Sequence, residues 1–165
     1  MAMSRSYYAS PYYGNSKGGK RWEDGTFTSV KKITMTANDM TLTSAQLHYG
    51  LAGHDPSVRW KSFGGVVHGG GDKTATTTKE FVLSPHECLT KMTGYKGMYR
   101  DEWNNEWCVI KSLTFYTDKG RTFSCGPKGR EPDFFETTVD GEIVGFFGSA
   151  SDSLLDSIGV YMLLD

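Results

Sequence analysis

The chain has 165 residues, 38% of them hydrophobic and 22% charged, with a formal net charge of -1. That length allows one substantial core, and no composition shift divides it, so a single folded domain is expected. With charges that nearly cancel and no lysine- or arginine-rich stripe, nucleic acid is excluded as a partner class, because phosphate binding needs clustered cations; without an apolar run of about eighteen residues, membrane insertion is excluded as well.

Residues 1–13 hold four tyrosines, three serines and a proline without strand periodicity. A flexible N-terminal arm is expected there, with an added edge strand as the alternative. The opening Met-Ala-Met-Ser-Arg-Ser-Tyr-Tyr lacks the apolar segment of a secretory signal. A cytoplasmic protein is therefore expected, and a mature secreted form stays open.

Beyond the arm, Thr, Val, Tyr, Phe and Gly dominate and apolar residues seldom recur at helical spacing, so the chain is read as all-β. Strands are expected over 30–35, 40–49, 58–63, 79–83, 89–95, 107–116, 121–125, 134–139, 143–147 and 158–164. Gly-, Asp- and Pro-rich turns separate them, as in a sandwich, barrel or prism. Three phrases are alike: Arg59-Trp-Lys-Ser-Phe-Gly64, Ile110-Lys-Ser-Leu-Thr-Phe115 and Leu155-Asp-Ser-Ile-Gly-Val160. Their spacing of about fifty residues predicts three equivalent β-units around one axis. The three cysteines, Cys88, Cys108 and Cys125, lack CxxC spacing and are expected as reduced, buried small hydrophobes.

The final segment, from Gly141 to Tyr161, reads as a strand, a short polar loop, a lone aspartate at 156 and a second strand. The loop must present its polar groups at one rim of a sheet, which makes it the first candidate for function.

Four pieces of the chain together resemble the jacalin-related lectins, from about Tyr13 to Leu164. They are Gly14-Asn-Ser-Lys-Gly-Gly-Lys-Arg-Trp-Glu-Asp-Gly25 with Val30-Lys-Lys-Ile33; His68-Gly-Gly-Gly71 with Phe81-Val-Leu-Ser-Pro-His-Glu87 and Gly94-Tyr95; Ile110-Lys-Ser-Leu-Thr-Phe-Tyr-Thr-Asp118 with Gly126-Pro-Lys-Gly129; and the segment from Gly141 to Tyr161. The resemblance implies a β-prism of three four-stranded Greek-key sheets with pseudo-three-fold symmetry, formed by residues 14–165 as a jacalin-type lectin domain. It also implies carbohydrate binding without a metal or other cofactor, where the loop between the last two strands meets the first glycine loop.

Carried over residue by residue, the resemblance places Asp156 as the acceptor of the G-x-x-x-D motif, with Ser153 and Leu154 offering main-chain N–H groups. An ionised carboxylate accepts from two adjacent sugar hydroxyls at about 1.5 to 3 kcal/mol per bond. The other reading of Asp156 is a turn cap. Gly19 aligns with the family glycine whose N–H reaches the sugar, glycine being the residue that lets a main chain approach a ligand closely. Trp107 falls where some members stack an aromatic ring on the sugar, or else it is a strand residue facing the core. The loop from Met98 to Glu106 is longer and more charged than the family pattern, and is expected to shape specificity. Asp152 stands where the motif has glycine, in a loop one residue longer than usual, and its added carboxylate bears on which sugar fits.

Other features carry less. Gly69-Gly-Gly-Asp-Lys-Thr74 resembles a phosphate loop only faintly, since Asp72 takes the glycine position and no helix follows. His48, His54, His68 and His86 have no metal spacing and are read as loop or rim residues, and Asp152 with Asp156 lacks the loop of a calcium site. No pair of carboxylates is singled out for glycan hydrolysis, so no enzyme is expected. The function predicted is a lectin for mannose- or glucose-type glycans, assembled as a homo-oligomer because weak single sites need avidity. The alternatives are a protein-interaction prism that has lost sugar binding and a galactose-specific lectin.

Overall fold

The computed structural model describes residues 6–15, 18–50, 62–64, 67–70, 75–129, 132–151 and 154–164. Among them fourteen strands form and no helix: β1 (Tyr7–Ala9), β2 (Tyr13–Gly14), β3 (Lys20–Glu23), β4 (Ser29–Ala37), β5 (Leu42–Gly50), β6 (Ser62–Gly64), β7 (His68–Gly69), β8 (Thr77–Val82), β9 (Leu89–Arg100), β10 (Glu106–Thr117), β11 (Thr122–Cys125), β12 (Asp133–Glu136), β13 (Glu142–Ala150) and β14 (Leu155–Leu163).

Strand β4 shows why these segments are strands. Val30, Ile33, Met35 and Ala37 are buried while Lys32, Thr34 and Thr36 between them are partly exposed, the alternation of a sheet with one face on a core. Three antiparallel sheets follow. The first runs β1-β14-β13-β3, the second β6-β5-β4-β8 and the third β11-β10-β9-β12, with the short β2 and β7 added to β14 and β5. In the second and third sheets a three-strand meander is followed by a strand that returns beside the first, a Greek key. The first sheet has the same order, but its outer strands come from the N-terminal part of the chain. Inner faces of all three meet in one core, with Ile33 and Leu47 from the second sheet, Leu113 and Phe115 from the third, and Phe146 and Ile158 from the first. This is the expected β-prism.

The register confirms the three-fold relation. In each central hairpin pairing slips twice: around Lys31 and Thr43 between β4 and β5, around Thr90 and Lys111 between β9 and β10, and around Val144 and Asp156 between β13 and β14. The second slip leaves Thr43, Lys111 and Asp156 as equivalent β-bulge residues, each followed by a serine. Against the carbonyl oxygen of each lies a glycine of positive φ, Gly69, Gly126 and Gly14 respectively, where any Cβ would collide. Two of the three similar phrases are therefore true equivalents. The third is Leu42-Thr43-Ser44 rather than 59–64, of which 59–61 lie outside the described residues and Ser62–Gly64 is the outer strand β6. Apolar triplets around a serine recur by chance in a β-rich chain; the bulge does not.

Two further expectations are corrected. Tyr7–Ala9 pairs antiparallel with β14, and Leu164 N–H donates to the Ser6 carbonyl at 2.9 Å. Residues 6–13 are therefore an edge of the first sheet and not a flexible arm, because the unpaired edge of β14 offers them a ladder. Of the cysteines, only Cys125 is fully buried, while Cys88 and Cys108 are half-buried thiols.

Candidate functional site

The bulge at the start of β14 brings Asp156 to one end of the prism, where its side chain is enclosed by two other elements. The residue is 1% exposed. On one side the Trp107 indole Nε1 of β10 donates to Oδ1 at 3.2 Å. On the other lies the glycine loop between β2 and β3. A Cβ on Gly18 would stand 3.3 Å from the Asp156 carboxyl carbon, and one on Gly19, at φ +63, would collide with Oδ2. Only a bare main chain fits there.

The loop is pinned from below. Asn15 N–H donates to the Asp156 carbonyl at 2.9 Å, Gly18 N–H to the Asn15 carbonyl at 3.2 Å, and Ser149 Oγ to the same carbonyl at 3.1 Å. Ser149 and Ser157, paired across β13 and β14, join their hydroxyls at 2.6 Å. Burial pushes the Asp156 carboxyl up from its ordinary value to about 6, against the smaller lowering effect of the Trp107 N–H. A carboxylate so placed, buried next to main-chain groups and held by an indole N–H, is an acceptor for neutral hydroxyls.

The structure thus brings Gly19, Trp107 and Asp156 together. Leu154 stands in the adjoining turn but differs from expectation. Its side chain is buried and its N–H donates to Ser151 Oγ at 3.2 Å, while its carbonyl accepts from Ser151 N–H at 3.0 Å. It builds the turn, a task that the motif alone does not reveal. Asp152 and Ser153 lie outside the described residues. Trp107 is half-buried and not a core residue, edge-on to Tyr99 at 5.2 Å and 66°, with its N–H on Asp156.

The segment read as a long charged loop, 98–106, is strand at both ends and a five-residue turn, 101–105, between them. β9 and β10 continue to Arg100 and Glu106, giving thirteen residues, 97–109, where the other two hairpins turn in four, 38–41 and 151–154. At its tip Asp101 Oδ1 accepts from the N–H groups of Trp103 at 3.0 Å and Asn105 at 2.8 Å, and Asn104 takes φ 67, a conformation asparagine tolerates. Trp103 stands on this braced tip, 75% exposed.

A second polar cluster was not legible beforehand. His68, expected at a rim, is buried with Trp22 stacked on its ring at 3.6 Å. Its Nε2 is 2.9 Å from Asp24 Oδ1, and Tyr49 OH donates to Asp24 Oδ2 at 2.6 Å. The cluster ties the segment after β3 to β5 and β7; burial beside the Asp24 carboxylate raises the Tyr49 hydroxyl pKa, keeping it a donor.

Comparison with known proteins agrees with this geometry. The Jacalin-like lectin domain family matches residues 10–161. Jacalin-related lectin 3 of Arabidopsis thaliana is 35% identical over 147 residues, covering 88% of this chain and 22% of that protein. Among solved structures, an artocarpin–mannotriose complex superposes with a TM-score of 0.78 at 31% identity, covering 95% of this chain and 97% of the other. A mannose-specific jacalin-related lectin from Morus nigra in complex with mannose gives 0.76 at 28% identity, covering 99% of each chain. The chain belongs to the jacalin-like lectin family. It spans between about a sixth and a half of the length of the curated relatives it matches.

Proposed function

We propose that the chain is a carbohydrate-binding module that recognises mannose- or glucose-type glycans reversibly, without a metal and without turnover. The observation that carries this reading is the buried Asp156 carboxylate facing the bare main chain of Gly19. The carboxylate accepts from adjacent sugar hydroxyls while loop N–H groups, that of Gly19 among them, donate to the same oxygens. Trp107 closes a third side with apolar ring surface against the sugar's C–H groups. Mannose is favoured over galactose because the solved relatives named above are described as complexes with mannotriose and mannose.

Monosaccharide sites of this size bind at about millimolar, near -4 kcal/mol, so display of several sites on a homo-oligomer would supply useful avidity. Calorimetric titration with methyl α-mannoside and methyl α-galactoside tests the reading. Saturable binding of the mannoside alone, unchanged by EDTA, is expected; galactoside preference, or loss on chelation, would overturn the specificity or the metal-free mechanism respectively.

A further inference from the structure

Trp107 meets Asp156 with the edge of its ring, not with a face. We infer that Trp107 is a positioning residue: its indole N–H holds Oδ1 of Asp156, so that Oδ2 remains turned toward the glycine loop as the acceptor for a ligand hydroxyl. This rests on the sugar-site reading above and adds what orients the carboxylate.

The indole nitrogen donates and cannot accept, so the 3.2 Å contact commits Oδ1. Oδ2 is then the oxygen beside Gly19. The ring is itself held from behind. Tyr99 packs edge-on to it at 5.2 Å, and the Lys111 ammonium lies 5.6 Å from the Tyr99 centroid while donating to the Met40 carbonyl at 3.1 Å. Trp107 thus sits at the end of a braced chain of contacts that crosses from the third sheet into the first.

The pseudo-three-fold relation provides an internal control. Thr43 and Lys111 occupy the same bulge position as Asp156. Thr43 Oγ1 is engaged with Thr36 Oγ1 at 2.7 Å, and Lys111 reaches the neighbouring turn at Met40. The turns beside those two positions, 38–41 next to Lys111 and 151–154 next to Gly69, have four residues each and carry no aromatic donor. Only beside Asp156 is the hairpin lengthened to thirteen residues, and Trp107 lies in the added part. The long hairpin and the buried carboxylate occur together.

Sugar stacking requires only a ring, whereas positioning requires the N–H, and Trp107→Phe separates the two. Among the described residues, the ionisable groups around Asp156 are few. Cys108 on β10 feels its charge; the described glycine-loop residues Gly14, Asn15, Gly18 and Gly19 and the facing Ser149 and Ala150 of β13 carry none; Lys111 and Tyr99 touch it only by way of the indole.

The test uses the full chain in two arms. In ligand-free protein the Trp107 indole N–H resonance, identified by its loss in Trp107→Phe, should shift with pH through a midpoint near 6 and stay flat in Asp156→Asn. In the second arm, Trp107→Phe should bind methyl α-mannoside about tenfold more weakly at neutral pH, with the pH midpoint of affinity raised by about one unit and the circular dichroism unchanged. A flat indole resonance in the wild type, or a Trp107→Phe variant with wild-type affinity and pH profile, would overturn the inference. If the wild type binds no sugar, the site reading fails, and the indole titration alone still decides the positioning. Should Trp107→Phe not fold, the indole resonance is assigned by triple-resonance NMR on the wild type and the same arm decides it.

Discussion

The main chain at Gly19 lies directly against the carboxylate of Asp156, leaving no room for a side chain between them. Two elements far apart in sequence are thereby fitted to each other, one supplying an acceptor and the other a bare backbone. Gly19→Ala should therefore abolish measurable binding. The new methyl would strike both Asp156 Oδ2 and the Ala150 carbonyl, at a φ of +63 that alanine resists. A stability loss of about 1 to 2 kcal/mol by thermal melting is expected with it.

Asp156 is expected to cost stability in exchange for function. Its carboxyl is raised from the ordinary 3.8 to about 6 by burial, so the folded protein holds this proton more tightly than the unfolded chain. The stabilisation is complete below about pH 4 and is lost as pH rises through 6. Asp156→Asn removes that loss and should be more stable than wild type at pH 7 by on the order of 1 to 3 kcal/mol, the difference vanishing below pH 4. Sugar affinity should run the other way, weakening in the wild type as pH falls through 6, because the protonated acid gives up an acceptor. Melting curves and titrations across pH 4 to 8 check both signs.

Acid stability should depend on Glu87. Arg121 donates to it through Nε at 2.8 Å and Nη2 at 2.6 Å, and Thr117 Oγ1 at 2.7 Å. The Arg121 hydrogen bond chiefly holds its carboxyl down from 4.5 to about 2. This contribution is present above pH 4.5 and lost as pH falls through 2, the opposite sense to Asp156. Since the Arg121 side chain is 45% exposed, solvent screening limits the value, and Glu87→Gln should lose about 1 to 2 kcal/mol at pH 7 and flatten the acid limb of the melting-temperature profile. Sugar affinity should not change.

Trp103 should act on longer ligands only. It stands at the hairpin tip four residues before Trp107 and is held there by Asp101. Trp103→Ala should leave methyl α-mannoside affinity within about twofold and weaken mannotriose binding by roughly 1 kcal/mol, the usual scale of an exposed aromatic contact. Equal losses on both ligands would place Trp103 in the primary site.

Much of the prism is legible in the sequence because its strands are long enough to show their pattern. Segments such as 30–35, 89–95 and 143–147 fall within β4, β9 and β13. The short pieces β1, β2, β3 and β7 span two to four residues, too few for periodicity to register, and they exist because neighbouring edges offer a ladder. The ends of β9 and β10 were hidden for another reason: Arg100, Asp101, Glu102 and Glu106 read as a charged loop, although an ion pair between Arg100 and Glu106 closes a hairpin there. Asp156 and the glycine loop could be read from their local motifs. The bond from Trp107 to Asp156 could not, since it spans 49 positions and two sheets. Nor could the equivalence of Thr43, Lys111 and Asp156, three chemically unlike residues whose likeness lies only in backbone register.

The most direct test of the central claim is a glycan array with wild type beside Asp156→Asn, both shown to be folded by circular dichroism and thermal melting. The account predicts that wild type binds mannose-containing glycans and that the folded, more stable variant binds none. Retained binding by the variant would place the sugar site elsewhere, and a silent wild type would contradict sugar recognition itself.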